Sequence, residues 1–216
     1  MTRLIKHVAI GMPKEMIFEN GKSMMTGIEK GAVEQAYLTK DGFMDDRPYN
    51  KKYHGGPDRA VCLFPHEHYA FFERIFQKTL PKSAFGENLI VSGMLEKDVA
   101  IGDIFQAGQA IFQISEARNP CSTIAKYHHM PELYKKVTET GFTGYLARTL
   151  KEGEICCGDQ VMLLEKAKDP DVTVAYCHEM VLHGKGRGKE LARILAVDAL
   201  SVRYRLSVEK KRARYT

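Results

Sequence analysis

One thiol in this chain follows a rigid turn. The alternating run Ala110-Ile-Phe-Gln-Ile-Ser-Glu-Ala117 leads directly into Arg118-Asn119-Pro120-Cys121. A guanidinium beside a thiol favours the thiolate, which is the form that attacks electrophiles and binds metals. The plainer account is that Cys121 is a small buried apolar residue, as most free cysteines are. None of the other four cysteines has a comparable setting.

A second polar cluster is Tyr53-His-Gly-Gly-Pro-Asp-Arg-Ala60. Gly55 and Gly56 let backbone N–H groups approach a ligand closely. Arg59 offers a fork that matches phosphate oxygens, and His54 exchanges protons near neutral pH. Asp58 orients Arg59 or caps the turn. The segment Phe85-Gly86-Glu87-Asn88-Leu89 is similar, with Gly86 allowing close approach. Glu87 and Asn88 can bond the edge of a heterocycle or cap a loop. Both clusters are also compatible with ordinary turns.

Other metal-like groupings have unsuitable spacing. His66 and His68 are two apart and diverge on a helix, and no His-Glu-x-x-His is present. Cys156 and Cys157 are adjacent rather than spaced as a zinc pair, and His128-His129 falls in an expected loop.

The elements that must position these residues are mostly strands up to residue 165. Leu4–Ile10, Ala32–Leu38, Val99–Ile101, Asp103–Gln106 and Ala110–Ala117 are short apolar or alternating runs bounded by Gly, Pro and Asp turns. This predicts a mainly β, α+β fold with a barrel or sandwich rather than a parallel sheet with crossover helices. Val99-Ala-Ile-Gly-Asp-Ile-Phe105 and Ile155-Cys-Cys-Gly-Asp-Gln-Val161 echo each other, each with a Gly-Asp turn. A helix is expected over Pro65–Gln77, with Pro65 in its first turn and Tyr69, Phe72, Ile75 and Phe76 facing inward. Another covers Pro131–Thr140 and stops at Gly141. Beyond Leu164 the period becomes helical: Thr173–His183, Glu190–Asp198 and Ser201–Arg212, the first two separated by Gly184–Gly188. Such short helices must lean on each other or on the strands. The charged stretch Lys166–Asp171 marks the expected boundary between residues 1–165 and 171–213.

With 216 residues, 44% hydrophobic and 27% charged, the chain has the composition of an ordinary globular protein. Its apolar runs are too short and too interrupted to span a bilayer as helices. The start Met1-Thr-Arg-Leu-Ile-Lys-His7 has no apolar secretory core, and five cysteines form no regular framework. A cytoplasmic location is expected, with no membrane partner. The net charge of +5 lies in residues 165–216, which carry 12 Lys/Arg against 7 Asp/Glu. That excess is a solvated surface or a docking face for an acidic partner. Nucleic-acid binding is disfavoured, because only Tyr204 and Tyr215 are interleaved with the basic residues. The sequence leaves the oligomeric state open.

Five motifs in one order, His54–Ala60, Phe64-Pro-x-Glu-His-Tyr69, Phe85–Leu89, Ile101-Gly-Asp-Ile104 and Arg118–Cys121, give the chain its resemblance to a known family. It resembles the MOSC domain, named for the C-terminal part of molybdenum cofactor sulfurases. Within that family it is most similar to the stand-alone bacterial branch associated with hydroxylaminopurine resistance, a detoxification trait. The resemblance extends over nearly the whole chain, residues 171–213 being similar to a three-helix C-terminal tail. It implies a β-barrel with peripheral helices that binds the molybdenum cofactor, a molybdenum-bearing pterin. Cys121 would be the metal ligand and catalytic residue. Arg59, Arg118 and neighbouring backbone groups, including Gly55, Gly56 and Asn119, would hold the cofactor's phosphate. Phe85, Gly86, Glu87 and Asn88 would surround the pterin, with Asp58 supporting the site. The implied activity is an oxidoreductase that converts N-hydroxylated compounds, such as hydroxylamino base analogues, to amines. His54 would deliver protons. The chain carries no flavin, haem or iron–sulfur signature, so electrons would come from a separate reductase docking on the basic tail. The alternative is a non-catalytic cofactor or sulfur carrier using a Cys121 persulfide; the desulfurase portion of the sulfurases is not in this sequence.

Overall fold

The computed structural model describes residues 2–17, 21–50 and 54–215, so Tyr53 of the glycine-rich cluster lies outside the described residues. The strands are β1 (Leu4–Ile10), β2 (Lys14–Ile17), β3 (Ser23–Thr26), β4 (Gly31–Val33), β5 (Gln35–Thr39), β6 (Gly42–Phe43), β7 (Val61–Pro65), β8 (Leu89–Ser92), β9 (Ile104–Ala107), β10 (Ala110–Ala117), β11 (Tyr145–Lys151), β12 (Gly153–Cys156) and β13 (Val161–Glu165). The helices are α1 (Glu67–Phe76), α2 (Thr123–Tyr127), α3 (Pro131–Thr140), α4 (Val174–Cys177), α5 (Gly188–Leu195) and α6 (Val202–Arg212). A 3-10 turn covers Pro57–Arg59, and α4 continues through a π turn over His178–Leu182.

Eight strands form one sheet in the order β13-β9-β10-β11-β7-β8-β1-β4. The architecture is mixed α+β, but the expected closed barrel does not form, because this order has two free ends. The sheet nevertheless curls. Ile5 N–H donates to Asp159 O and Val161 N–H to Arg3 O, at 2.8 and 2.9 Å, bringing the start of β13 back toward β1. β7 and β8 are parallel neighbours. Parallel neighbours need a crossover, and α1 supplies it, so one such unit sits in an otherwise antiparallel sheet.

Several expected boundaries move for local reasons. Ala32–Leu38 is two strands, because β4 pairs with β1 while β5 pairs with β12 in a separate small sheet. Val99–Ile101 forms only an isolated bridge, from Ala100 to Thr173. Pro65 ends β7 instead of opening α1, and its ring is buried in the parallel pair with Val91. Tyr69 and Phe72 are buried as expected, while Ile75 is exposed, on the outer side of α1.

The paired Gly-Asp sequences make the same turn. Asp103 and Asp159 each accept from the N–H three residues earlier, Ala100 at 2.9 Å and Cys156 at 2.8 Å. Their glycines, Gly102 and Gly158, have φ of 106° and 91°. That backbone is strained for any residue with a Cβ. Asp103 also accepts from Ala167 N–H at 2.8 Å, so the first turn anchors the chain beyond β13.

Two apolar clusters result. Phe64, Tyr69, Phe72, Phe85, Ile124, Leu133 and Val137 join α1, α2 and α3 to one side of the sheet. The other cluster continues from the sheet residues Leu63, Phe105, Phe112 and Ile114 to Val174, Cys177, Leu191, Ile194, Tyr204 and Val208. The chain beyond residue 171 is therefore packed on the sheet's own core. Part of its positive charge is engaged within the fold: Arg193 pairs with Asp169 and Asp171, and Arg205 donates to Leu195 O and Val197 O. No helix among the described residues is long and apolar enough to cross a membrane.

The two Gly-Asp turns give a graded expectation. Asp103→Ala strands two backbone donors and should cost about 1–3 kcal/mol, the usual penalty for unsatisfied buried groups. Asp159→Ala strands one in a half-exposed turn and should cost less. Urea unfolding of both variants measures this; equal losses would contradict the proposed anchoring role of Asp103.

A candidate thiolate site

The strand β10 carries Cys121 to its place. Phe112 and Ile114 share one buried face of β10; a register shift between Ile114 and Glu116 then pairs Glu116 with Leu146 and turns its side chain to the opposite face, and Arg118 leaves the strand with its N–H donating to Gly144 O at 3.3 Å. Asn119 is exposed, Cys121 is half-buried, and Ser122 opens the short helix α2. Cys121 Sγ lies 3.2 Å from Thr123 Oγ1, whose hydroxyl can donate to a thiolate. A hydrogen bond from His54 is the largest influence on this thiol, and with the Thr123 bonds it pulls the pKa down to about 6 against the opposing effect of burial. The structure thus brings together Cys121 and His54, 67 positions apart in sequence (121 − 54).

Arg118 was expected to ionise Cys121, and it does not: the lowering comes from His54 and Thr123. Its guanidinium turns instead toward the 85–88 segment, where Nη2 donates to Phe85 O. Its charge acts on Cys62 and Glu87. Arg118 Nη1 is buried without a hydrogen-bond partner among the described residues. A buried cationic donor left open in this way is suited to an anionic oxygen.

The Phe85–Leu89 segment is a polar knot inside the protein. Glu87 is fully buried and accepts from Tyr69 O–H at 2.5 Å and Phe85 N–H at 3.0 Å. Burial pushes its carboxyl up, against the bond from Tyr69 and the charge of Arg118. Asn88 donates to Ala9 O at 3.2 Å and Asp46 Oδ2 at 2.9 Å, and accepts from Cys62 N–H at 3.2 Å. Phe85 stacks on Phe64 with ring centres 4.1 Å apart. The polar side-chain atoms of Glu87 and Asn88 are engaged by protein and Gly86 N–H donates to Ser83 O at 2.8 Å, so the open donor beside this segment is Arg118.

The glycine-rich loop is divided in the same way. Gly55 and Gly56 both have positive φ, at 75° and 95°, and His54 is exposed at the loop's tip. Asp58 does not orient Arg59. It accepts from Arg148 Nε and Nη2 at 3.0 and 2.8 Å and from Val202 N–H at 3.0 Å. Arg59 Nη2 pairs with buried Glu116 at 3.0 Å. Asp58 and Arg59 therefore hold the loop to the fold, and His54 is the residue of this loop that acts on Cys121.

Sequence reasoning missed Lys30, Asp46, Cys62, Glu116 and Thr123. Lys30 and Asp46 form a buried ion pair, and Asp46 also accepts from Gly11 N–H at 2.9 Å. Their charges reach Cys62, whose pKa burial raises. Glu116 had no readable signal either, because the irregularity after Ile114 that sets the direction of its side chain is not visible in the strand's alternation. The discounted metal groupings stay apart: His68 bonds Glu96 at 2.6 Å, His128 bonds Ala84 O, and Cys156 and Cys157 approach Gln35 and Lys6 O. Among the described residues no three His, Cys, Asp or Glu side chains form a ligand set. A cavity of about 640 Å³ lined by Arg3, Glu67 and Lys97, and one of about 270 Å³ lined by His68, Phe142 and His178, lie elsewhere.

Comparison with known proteins gives a consistent result. The family model described as the MOSC domain matches residues 50–162. YflK of Bacillus subtilis is 37% identical over 206 residues, 95% of this chain and 92% of that protein. The crystal structure of YiiM from Geobacillus stearothermophilus superposes with a TM-score of 0.82 at 30% identity, covering 97% of this chain and 98% of that one. A Gibberella moniliformis protein named a reductase is 36% identical over 118 residues, 52% of this chain but 21% of that protein.

Because the Cys121 pKa is depressed, its thiolate is present above about pH 6 and is lost as pH falls through that value. Alkylation of Cys121, followed by peptide mass spectrometry, should therefore be half-maximal near pH 6. His54→Ala should move the midpoint upward, whereas Arg118→Gln should leave it in place. A midpoint that follows Arg118 and ignores His54 would reverse this assignment.

Proposed function

This chain belongs to the MOSC domain family, and we propose that it is a molybdenum-dependent oxidoreductase that reduces N-hydroxylated compounds to amines. The observation carrying this reading is the half-buried Cys121 thiolate three residues after Arg118, whose Nη1 is buried without a hydrogen-bond partner among the described residues. Thiolate sulfur is a soft donor suited to a soft metal centre. The open Arg118 donor suits an anionic oxygen of the cofactor, and the Gly55-Gly56 backbone lies on the loop that bears His54. These residues fit the molybdenum cofactor, with Cys121 as the protein ligand. Arg118 and the nearby N–H groups would hold its charged end. Glu87, Asn88 and Arg59 would act behind them, through the bonds that fix the walls.

When bound, the cofactor supplies a two-electron couple able to remove oxygen from nitrogen. The reaction breaks one N–O bond and consumes two electrons and two protons, giving the amine and water. His54, which is exposed and lowers the Cys121 pKa, would hand a proton to the departing oxygen. The relative named a reductase supports a redox role, and most of its length lies outside the part matched here. Electrons for this chain would come from a separate reductase. Lys189 and Lys210, exposed on α5 and α6, are candidates for contacting it. Deleting the segment would be a poor test, because it is part of the core.

Protein made in a host that synthesises the cofactor should contain molybdenum and reduce a hydroxylaminopurine with a small-molecule reductant. Cys121→Ser should abolish both properties. Arg118→Gln should weaken cofactor retention by roughly ten- to hundredfold, the worth of a charged hydrogen bond. Molybdenum or a Cys121 persulfide without turnover would replace this reading with that of a carrier. Reversing charge at Lys189 and Lys210 together should slow reduction by the native reductase and spare the small-molecule reaction; equal loss in both would move the docking face elsewhere.

A further inference from the structure

The smaller cavity, of about 270 Å³, takes no part in the proposed reduction. Its lining comes from both parts of the chain: His68, Leu95, Glu96 and Phe142, with Ala175 and His178 from beyond residue 171. Most of that lining is apolar. Small-molecule sites run upward from roughly 300 Å³, so this one suits a ligand of one or two rings.

Among the described residues, His178 holds the only buried polar side-chain atom of this lining that lacks a partner. Glu96 is fully engaged, accepting from Gly144 N–H at 2.9 Å and bonding His68 Nε2 at 2.6 Å. His68 in turn stacks on Phe142, with ring centres 3.9 Å apart. His178 is 3% exposed, and its Nε2 lies 2.8 Å from Thr143 Oγ1. Thr143 has one hydroxyl proton and gives it to Arg118 O at 2.7 Å, so it accepts from His178. Nε2 therefore carries the ring proton, and Nδ1 is left as a buried lone-pair acceptor with no partner among the described residues. Burial lowers the His178 pKa to about 4, against the charge of Glu96, so the ring is neutral at pH 7. His178 also opens the π turn, a backbone irregularity frequent at functional sites.

A buried acceptor without a donor costs about 1–3 kcal/mol, and a ligand that brings the donor recovers part of that. A charged ligand is disfavoured, because a neutral imidazole offers no counter-charge and Glu96 is already committed. We propose that this cavity is a second binding site, taking a small neutral aromatic molecule whose O–H or N–H donates to His178 Nδ1. Leu95 and Phe142 receive the ring, and His178 reads the donor. Cys121 is not in the lining, so the proposal stands or falls independently of molybdenum binding.

Phenol and toluene distinguish such a site from an apolar void. A void prefers toluene, because phenol gives up its hydrogen bonds to water on entry. NMR titration of the full-length protein should show phenol binding about tenfold more tightly than toluene, the worth of one hydrogen bond. His178→Phe keeps a flat ring and removes the acceptor, so it should erase or reverse that preference. Ala175→Leu puts bulk into the cavity and should weaken both probes; it serves as the second variant if His178→Phe does not fold. Toluene bound as tightly as phenol by the unaltered protein, or neither bound at millimolar concentration, would overturn the proposal. Phenol binding that both variants leave unchanged would overturn it as well, since the molecule would then sit elsewhere.

Discussion

The carboxylate of Glu116 is buried near the end of β10, and the arrangement of the site depends on how that charge is satisfied. Burying an unpaired carboxylate costs several kcal/mol, so its partners must arrive with good geometry. Arg59 and Ser201 supply them from opposite ends of the chain. Burial raises the Glu116 pKa and Arg59 opposes that rise. An apolar side chain there would pack at less desolvation cost, but it would not specify where the loop and α6 must sit.

A second knot does the same around β1 and β7. Lys30, Asp46, Asn88, Glu87, Tyr69 and Arg118 satisfy one another around the 85–88 segment, and Cys62 lies within their field. Among the described residues the buried Nη1 of Arg118 has no hydrogen-bond partner. That contrast gives Arg118 its interest. Cys121 differs in another way, because its low pKa arises from neighbours at the rim rather than from the buried charges. The site thus combines a buried polar network with a half-buried thiolate.

Much of this was legible in the chain. The Gly-Asp echo was visible as two seven-residue matches and became two identical turns, because Asp bonding to a backbone three residues earlier is local chemistry. The β10 alternation and the stop of α3 at Gly141 are local in the same sense. Pro65 misled, since a proline suits the first turn of a helix and the end of a strand alike. The closed barrel failed for a non-local reason: each strand's pattern is the same whether or not the last one pairs with the first.

The residue types at the site followed from sequence alone: a thiol after an Arg-Asn-Pro turn, a histidine beside two glycines, a Glu-Asn pair in a tight loop. Their division of labour did not. Which side chains face the site and which hold its walls depends on where buried charges find partners, and those partners are distant in sequence. Tertiary structure assigned His54 and Thr123, rather than Arg118, to the ionisation of Cys121. It committed Glu87, Asn88, Asp58 and Arg59 to the frame, and drew the C-terminal helix into that frame through Ser201. A buried carboxylate does not record in its own neighbours which distant hydroxyl will satisfy it.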